Sequence, residues 1–248
     1  MLQKTVGIVL RTQNYGETHK LVTIFTKDIG KVTTISRGAN KPRSRLSAVS
    51  QLFIEAEFLL YIPKGLATLR QGEVISTFRH IRADLSRTAY AAYIIELTDR
   101  LLEDKTPDPY IYHELKQTMD WINNEEDYLI PVMMYEMKLF KKGGFAPVVD
   151  QCVNCNREDK LSSFSVQEGG ALCERCSSID QYAIRLSPAL FRILSICLHV
   201  DLNRVGNIKV KQENIALLRS LFDQYYDRYG GYHLKSKKFL NELNKLEE

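Results

Sequence analysis

Along residues 3–11, Val6, Ile8 and Leu10 alternate with Thr5, Gly7 and Val9, the period-two pattern of a strand. Asn14-Tyr15-Gly16 predicts a turn, residues 19–26 a second β-rich run, Asp28-Ile29-Gly30 another turn, and residues 31–37 a third strand ending at Gly38. A polar loop over 39–45 follows. Then Leu52, Ile54, Ala56, Phe58, Leu60 and Ile62 alternate with Phe53, Glu55, Glu57, Leu59 and Tyr61, the clearest strand in the chain. Pro63-Lys64-Gly65 breaks it, and residues 67–77 supply a fifth strand. A three-strand meander and two further strands in about eighty residues predict a small Greek-key barrel of the OB type, with an SH3-like barrel as the alternative.

Beyond Phe78 the period becomes helical. Leu85, Ala89, Ala92, Tyr93, Leu97 and Leu101 share a face, and Thr106-Pro107-Asp108-Pro109 ends the run. Residues 110–123 predict a second helix, and a third begins near Pro131 and stops at Gly143-Gly144 with Met133, Met137 and Phe140 as core filler. Ser187-Pro188 has the form of an N-cap and first-turn proline for a helix with Leu190, Ile193, Leu194 and Cys197 on one side. Ile215, Leu218, Phe222, Tyr225 and Tyr229 recur in steps of three and four up to Gly230-Gly231, and residues 235–246 predict a short basic helix. The expected class is α+β. Residues 1–80 are expected to form a five-stranded OB-type barrel, and 81–248 a helical domain with a module at 150–180 inserted in it.

That module carries the most local chemistry. Cys152-Val-Asn-Cys155 and Cys173-Glu-Arg-Cys176 are separated by seventeen residues, a spacing that brings four thiolates around one tetrahedral Zn²⁺. A redox dithiol expects one pair after a strand, and disulfides expect a secreted chain. With four sulfur ligands no position is left for a catalytic water, so one structural zinc is expected. Cys197, the fifth cysteine, reads as a small buried hydrophobe.

Charge sharpens the division. Through residue 82, thirteen basic residues face five acidic ones, a net +8 within a chain of net +4, so the remainder is acidic. Arg37, Lys41, Arg43 and Arg45 fall in the loop after the third strand, able to reach successive phosphates; a merely solvated loop is the bland alternative. Arg11, Lys20, Lys31 and Arg70 on the predicted strands complete the candidate nucleic-acid-binding set of a nucleic-acid-binding barrel domain. Tyr15 and Tyr61 are conceivable stacking platforms, although core tyrosines are the simpler reading, and Glu55 and Glu57 read as the solvated face of an edge strand.

Catalytic signatures are missing: no GxxxxGK[ST], GxSxG, HExxH or GxGxxG, and five scattered histidines. No run approaches the roughly 18 apolar residues of a membrane span, and no signal peptide is recognisable, so a cytoplasmic protein is expected.

Several runs resemble one family. Gly7-Ile-Val-Leu-Arg11, Tyr15-Gly-Glu17, Gly30-Lys31, Arg37-Gly38-Ala39, Ser44-Arg45, Tyr135-Glu136, Gly144-Phe-Ala-Pro147 and Glu168-Gly-Gly170, with the two CxxC knuckles, are similar to the bacterial recombination mediators of the RecO family. Asn156 departs from the glycine usual after the first knuckle, but asparagine tolerates a left-handed backbone. The resemblance implies a non-enzymatic protein that binds single- and double-stranded DNA, anneals complementary strands and contacts the C-terminal tail of single-strand binding protein (SSB). It also implies that the protein joins RecR to load RecA in the RecF pathway, associating with the nucleoid during repair. An RNA-binding OB protein and a protein-interaction adaptor are the competing readings.

Overall fold

The computed structural model describes residues 1–206 and 209–247; Glu248, the end of the expected helical domain, lies outside them. Five strands, β1 (Leu2–Tyr15), β2 (His19–Thr26), β3 (Gly30–Ser36), β4 (Glu55–Tyr61) and β5 (Ala67–Ser76), close into a barrel in the order β1-β2-β3-β5-β4. All neighbours are antiparallel except β3 and β5, which run parallel through Thr34–Ser36 against Ala67–Leu69. β1 is long enough to pair with β4 through its first half and with β2 from Gly7 onward, and the register shift between Val9 and Arg11 bends it around the barrel. Alternate residues fill the interior: Val22 and Ile24, Val32, Ala56, Phe58 and Leu60, Ala67 and Leu69.

Closure corrects one expectation. The barrel closes on itself, so β4 is not an edge strand and Glu55 and Glu57 do not share a solvated edge; Glu55 is 4% exposed. It lies 3.5 Å from the Lys116 ammonium and accepts a 3.4 Å hydrogen bond from Tyr112. Both partners sit on α3 (Pro109–Asn124), which follows α1 (Arg79–Ala83) and α2 (Leu85–Leu101). The side chains of Asp84 and Asp108 cap α2 and α3 by accepting from the amides of Arg87 and Ile111. α7 (Lys235–Glu247) packs on α2, and the Glu96 carboxylate accepts from the amides of Lys235 and Ser236 at its start.

The barrel, these three helices and α7 make one compact unit, residues 1–126 with 234–248. Residues 127–233 make a second. The second unit contains α4 (Leu129–Lys142), a small sheet of β6 (Leu161–Ser165), β7 (Gly170–Cys173) and β8 (Ile184–Arg185) in the order β7-β6-β8, then α5 (Pro188–His199) and α6 (Gln212–Tyr229). Ser187 caps α5 as its sequence predicts, accepting from the Leu190 amide at 3.3 Å. The core is aromatic: Phe140 lies 5.0 Å from Phe145 and 6.1 Å from Tyr225, and Phe164 meets Tyr225 edge-on. Through it runs a buried ion pair. Glu136 is fully buried and grips Arg219 with both carboxylate oxygens, and Asp223 adds a 3.3 Å contact. The Tyr135-Glu136 motif therefore has a structural reason, hidden from sequence because its partner lies 83 residues on.

Candidate metal centre and nucleic-acid interface

The two cysteine knuckles are brought together by backbone pairing. Val148 donates to the Gly169 carbonyl and accepts from Ala171, and Val153 donates to Ala171, so the segment entering the first knuckle lies beside β7, which ends at Cys173. Gly170 permits this approach, since a Cβ there would stand 2.3 Å from the Val148 carbonyl oxygen. At the first knuckle Asn156 donates to the Cys152 carbonyl at 2.9 Å with φ of 57°, the left-handed turn that asparagine tolerates. At the second, Cys176 donates to Cys173 at 2.9 Å.

All four Sγ atoms of Cys152, Cys155, Cys173 and Cys176 lie within 4.8 Å of one another. Cys155 and Cys173 are 3.7 Å apart. A tetrahedron with metal–sulfur bonds of about 2.3 Å has edges of about 3.8 Å, so the cluster fits one metal ion. Three of the sulfurs belong to buried residues and Cys155 is exposed. Burial pushes the Cys152 thiol up, but hydrogen bonds from the backbones of Cys173, Cys155 and Asn154 outweigh it and bring the thiol down to about 6. The Asn154 side chain also donates to Cys176 Sγ at 3.3 Å, which orients that ligand. The donor set offers sulfur alone and suits a thiophilic, structural ion. Cys197 stands apart as expected, and burial pushes its thiol up to about 12.

On the barrel, the basic loop projects from the end of β3. Asn40 fastens it: its backbone donates to the Thr18 carbonyl at 3.0 Å and its side chain to Asn14 Oδ1 at 3.0 Å, while the Gly38 amide donates to His19 Nδ1 at 2.9 Å. The loop backbone is thereby pinned to the β1–β2 turn. Arg37, Lys41, Arg43 and Arg45 are all exposed, and among the described residues none is consumed in an ion pair. The remaining candidates separate. Lys20 is half-buried near the same turn. Arg11 is held by Asp99 at 3.4 Å, though about half exposed. Lys31 leaves the candidate surface: its side chain is 11% exposed, donates to the Asp99 carbonyl and lies 3.4 Å and 3.5 Å from the Asp99 and Asp104 carboxylates. Asp99 lies on α2 and Asp104 just past its end, bridged to the Lys31 backbone, about seventy residues later and beyond the reach of local pattern.

Arg70 is exposed on β5 with its guanidinium 5.7 Å from the centre of the Tyr61 ring. Tyr61 and Tyr15 are 40% and 50% exposed, contrary to the core reading. Beside Arg70 opens a groove of about 590 Å³ that sequence did not indicate, lined among others by Lys4, Arg45, Glu57, Leu59 and Glu73. Lys4 and Glu57 pair across it at 2.6 Å.

A family model described as "Recombination protein O N terminal" matches residues 1–78, and one described as "Recombination protein O C terminal" matches 82–238. A curated protein of Oceanobacillus iheyensis named "DNA repair protein RecO" is 51% identical over 244 residues, covering 98% of this chain and 95% of its own length. Proteins of the same name from Bacillus cereus and Bacillus anthracis are 44% identical over 247 residues, the whole of both chains.

Proposed function

We propose that this chain, which belongs to the RecO family of DNA repair proteins, is a non-enzymatic recombination mediator working on DNA through its barrel. On this reading it binds single- and double-stranded DNA and anneals complementary strands. It engages the SSB C-terminal tail and RecR to load RecA in the RecF pathway, and works in the cytoplasm at the nucleoid. Annealing requires no bond chemistry. Phosphates on two strands repel, a basic surface lowers that cost, and base pairing drives the rest. The ion of the cysteine cluster is one Zn²⁺ with a structural role, held by Cys152, Cys155, Cys173 and Cys176. Among the described residues no helix is long and apolar enough to cross a membrane.

One observation carries the reading: four exposed cations stand on a loop whose backbone is pinned at Asn40, where phosphates can be met without first ordering the chain. Single-stranded DNA affinity should therefore fall steeply with salt. Alanine at Arg37, Lys41, Arg43 and Arg45 together should reduce the log–log slope by up to about 3, at about 0.7 per phosphate contact. Anisotropy titrations with a labelled oligonucleotide at several salt concentrations decide it, and a quadruple variant with unchanged slope and affinity refutes the loop. Competition by RNA of the same sequence tests the nucleic-acid class. An SSB tail peptide docked through apolar contacts should still bind at salt that releases DNA.

A further inference from the structure

An OB barrel commonly receives oligonucleotides on the face of its second and third strands. Here the chain's own helices take that face. Phe25 of β2 packs edge-on against Tyr112 of α3 at 5.7 Å, and Thr23, 3% exposed, meets the Thr33 hydroxyl at 3.0 Å. Lys31 of β3 is enclosed by Asp99 and Asp104. Gly30 lies so near Thr106 that a Cβ would be 2.3 Å from its carbonyl oxygen, and its φ is +83°. A nucleic-acid strand has no access there.

The open side is formed by β1, β4 and β5. Lys4 lies opposite Leu59, Leu59 opposite Gln71, and Glu57 opposite Glu73, which sets the groove across three strands. At its side stands the Tyr61–Arg70 pair, a half-exposed ring under a planar cation. Arg45 lines the groove and also belongs to the basic loop, so loop and groove are continuous. Charge fixes which side of a bound strand faces the groove. Lys4 and Glu57 neutralise each other, and Glu73 repels phosphate, so the backbone belongs along the loop with the bases turned inward. There the carboxylates can accept from exocyclic base amines.

We infer that single-stranded DNA binds across the β1–β4–β5 face, with a base stacked on Tyr61 and Arg70 and its phosphates on the loop that ends at Arg45. This rests on the DNA-binding reading above and adds the face, the inward turn of the bases and the stacking residue. Base–aromatic stacking is sequence-tolerant, which suits a protein that must accept any strand.

The test uses the full chain. Tyr61→Ala should weaken single-stranded DNA binding by at least about fivefold, the low end of what aromatic stacking supplies, while leaving the salt slope unchanged because no cation is lost. Tyr61→Phe should bind within about twofold of wild type. Duplex affinity should not respond to Tyr61→Ala, since paired bases are not free to stack. On the unmodified chain, an oligonucleotide carrying 5-iododeoxyuridine should photocrosslink to Tyr61, a readout independent of how any variant folds. Unchanged single-strand affinity in Tyr61→Ala, with loss in the quadruple loop variant, would overturn the face while leaving phosphate binding intact, and would give the groove to a protein ligand. Crosslinks confined to residues outside β1, β4, β5 and the loop would overturn it as well. If the quadruple variant also binds as wild type, the DNA-binding reading itself fails.

Discussion

The cysteine cluster and the basic barrel surface are built on opposite principles. The cluster is closed: four sulfurs from a 25-residue span lie within 4.8 Å of one another. The barrel surface is open: its cations leave the backbone at a pinned loop and at β5, and their charges face solvent. A cluster of ligands that satisfies itself holds structure, whereas unspent charge on a rigid support is available to a partner. Lys31 marks the boundary within the barrel unit, since it has the charge of the second kind and the internal pairing of the first.

Removing one sulfur should give the largest effect. Structural zinc contributes apparent binding free energies of about 10–16 kcal/mol in small zinc modules, so Cys173→Ser should lose the metal and unfold the β6–β8 module. Cys197→Ser should keep one metal per chain. Metal content by mass spectrometry of both purified variants distinguishes them, and one retained ion in Cys173→Ser would sink the four-sulfur assignment.

Next in size is the buried pair of the second unit. Glu136→Gln takes the bidentate carboxylate from the buried Arg219 guanidinium and leaves it the 3.3 Å contact with Asp223, a loss of up to about 3–5 kcal/mol by the measure of broken buried pairs. Denaturant midpoints read this directly. DNA affinity of the folded fraction should not change.

Lys31→Ala separates the two principles within the barrel. It removes charge-assisted contacts to Asp99 and should cost about 1.5–3 kcal/mol of stability. The salt slope of DNA binding should stay as in wild type, unlike that of the loop variant. A reduced slope with unchanged melting would return Lys31 to the DNA surface.

What was legible in the sequence follows the range of the interactions. The His19–Thr26 strand, the Ser187 cap and the CxxC spacing depend on neighbours a few residues away, and the structure places them as patterned. The surroundings of Glu55, Lys31 and Tyr61 are not legible in local pattern, for one reason. Their environments are set by barrel closure and by helices fifty to seventy residues later, which bury the first two and leave the third open. Alternation identifies the two faces of a strand; it does not say which face a later helix covers.

Glu55 gives the smallest and most diagnostic effect. Burial raises its pKa above the ordinary 4.5, against the opposing pull of Lys116 and assisted by Asp120. The sign follows from proton linkage: the folded chain holds this proton more tightly than the unfolded chain. The contribution of Glu55 therefore favours folding most at pH below 4.5 and declines as pH rises through the window between 4.5 and its raised value. Glu55→Gln removes that proton. Melting temperatures measured across this window should decline less with rising pH in the variant than in wild type, and at neutral pH the variant should be no less stable. If the two curves stay parallel, burial of the carboxylate is not what β4 and α3 impose on it. If the variant is destabilised by more than about 1 kcal/mol at neutral pH, the Lys116 contact outweighs desolvation and Glu55 is a structural ion pair like Glu136, in the range of hydrogen bonds to charged groups.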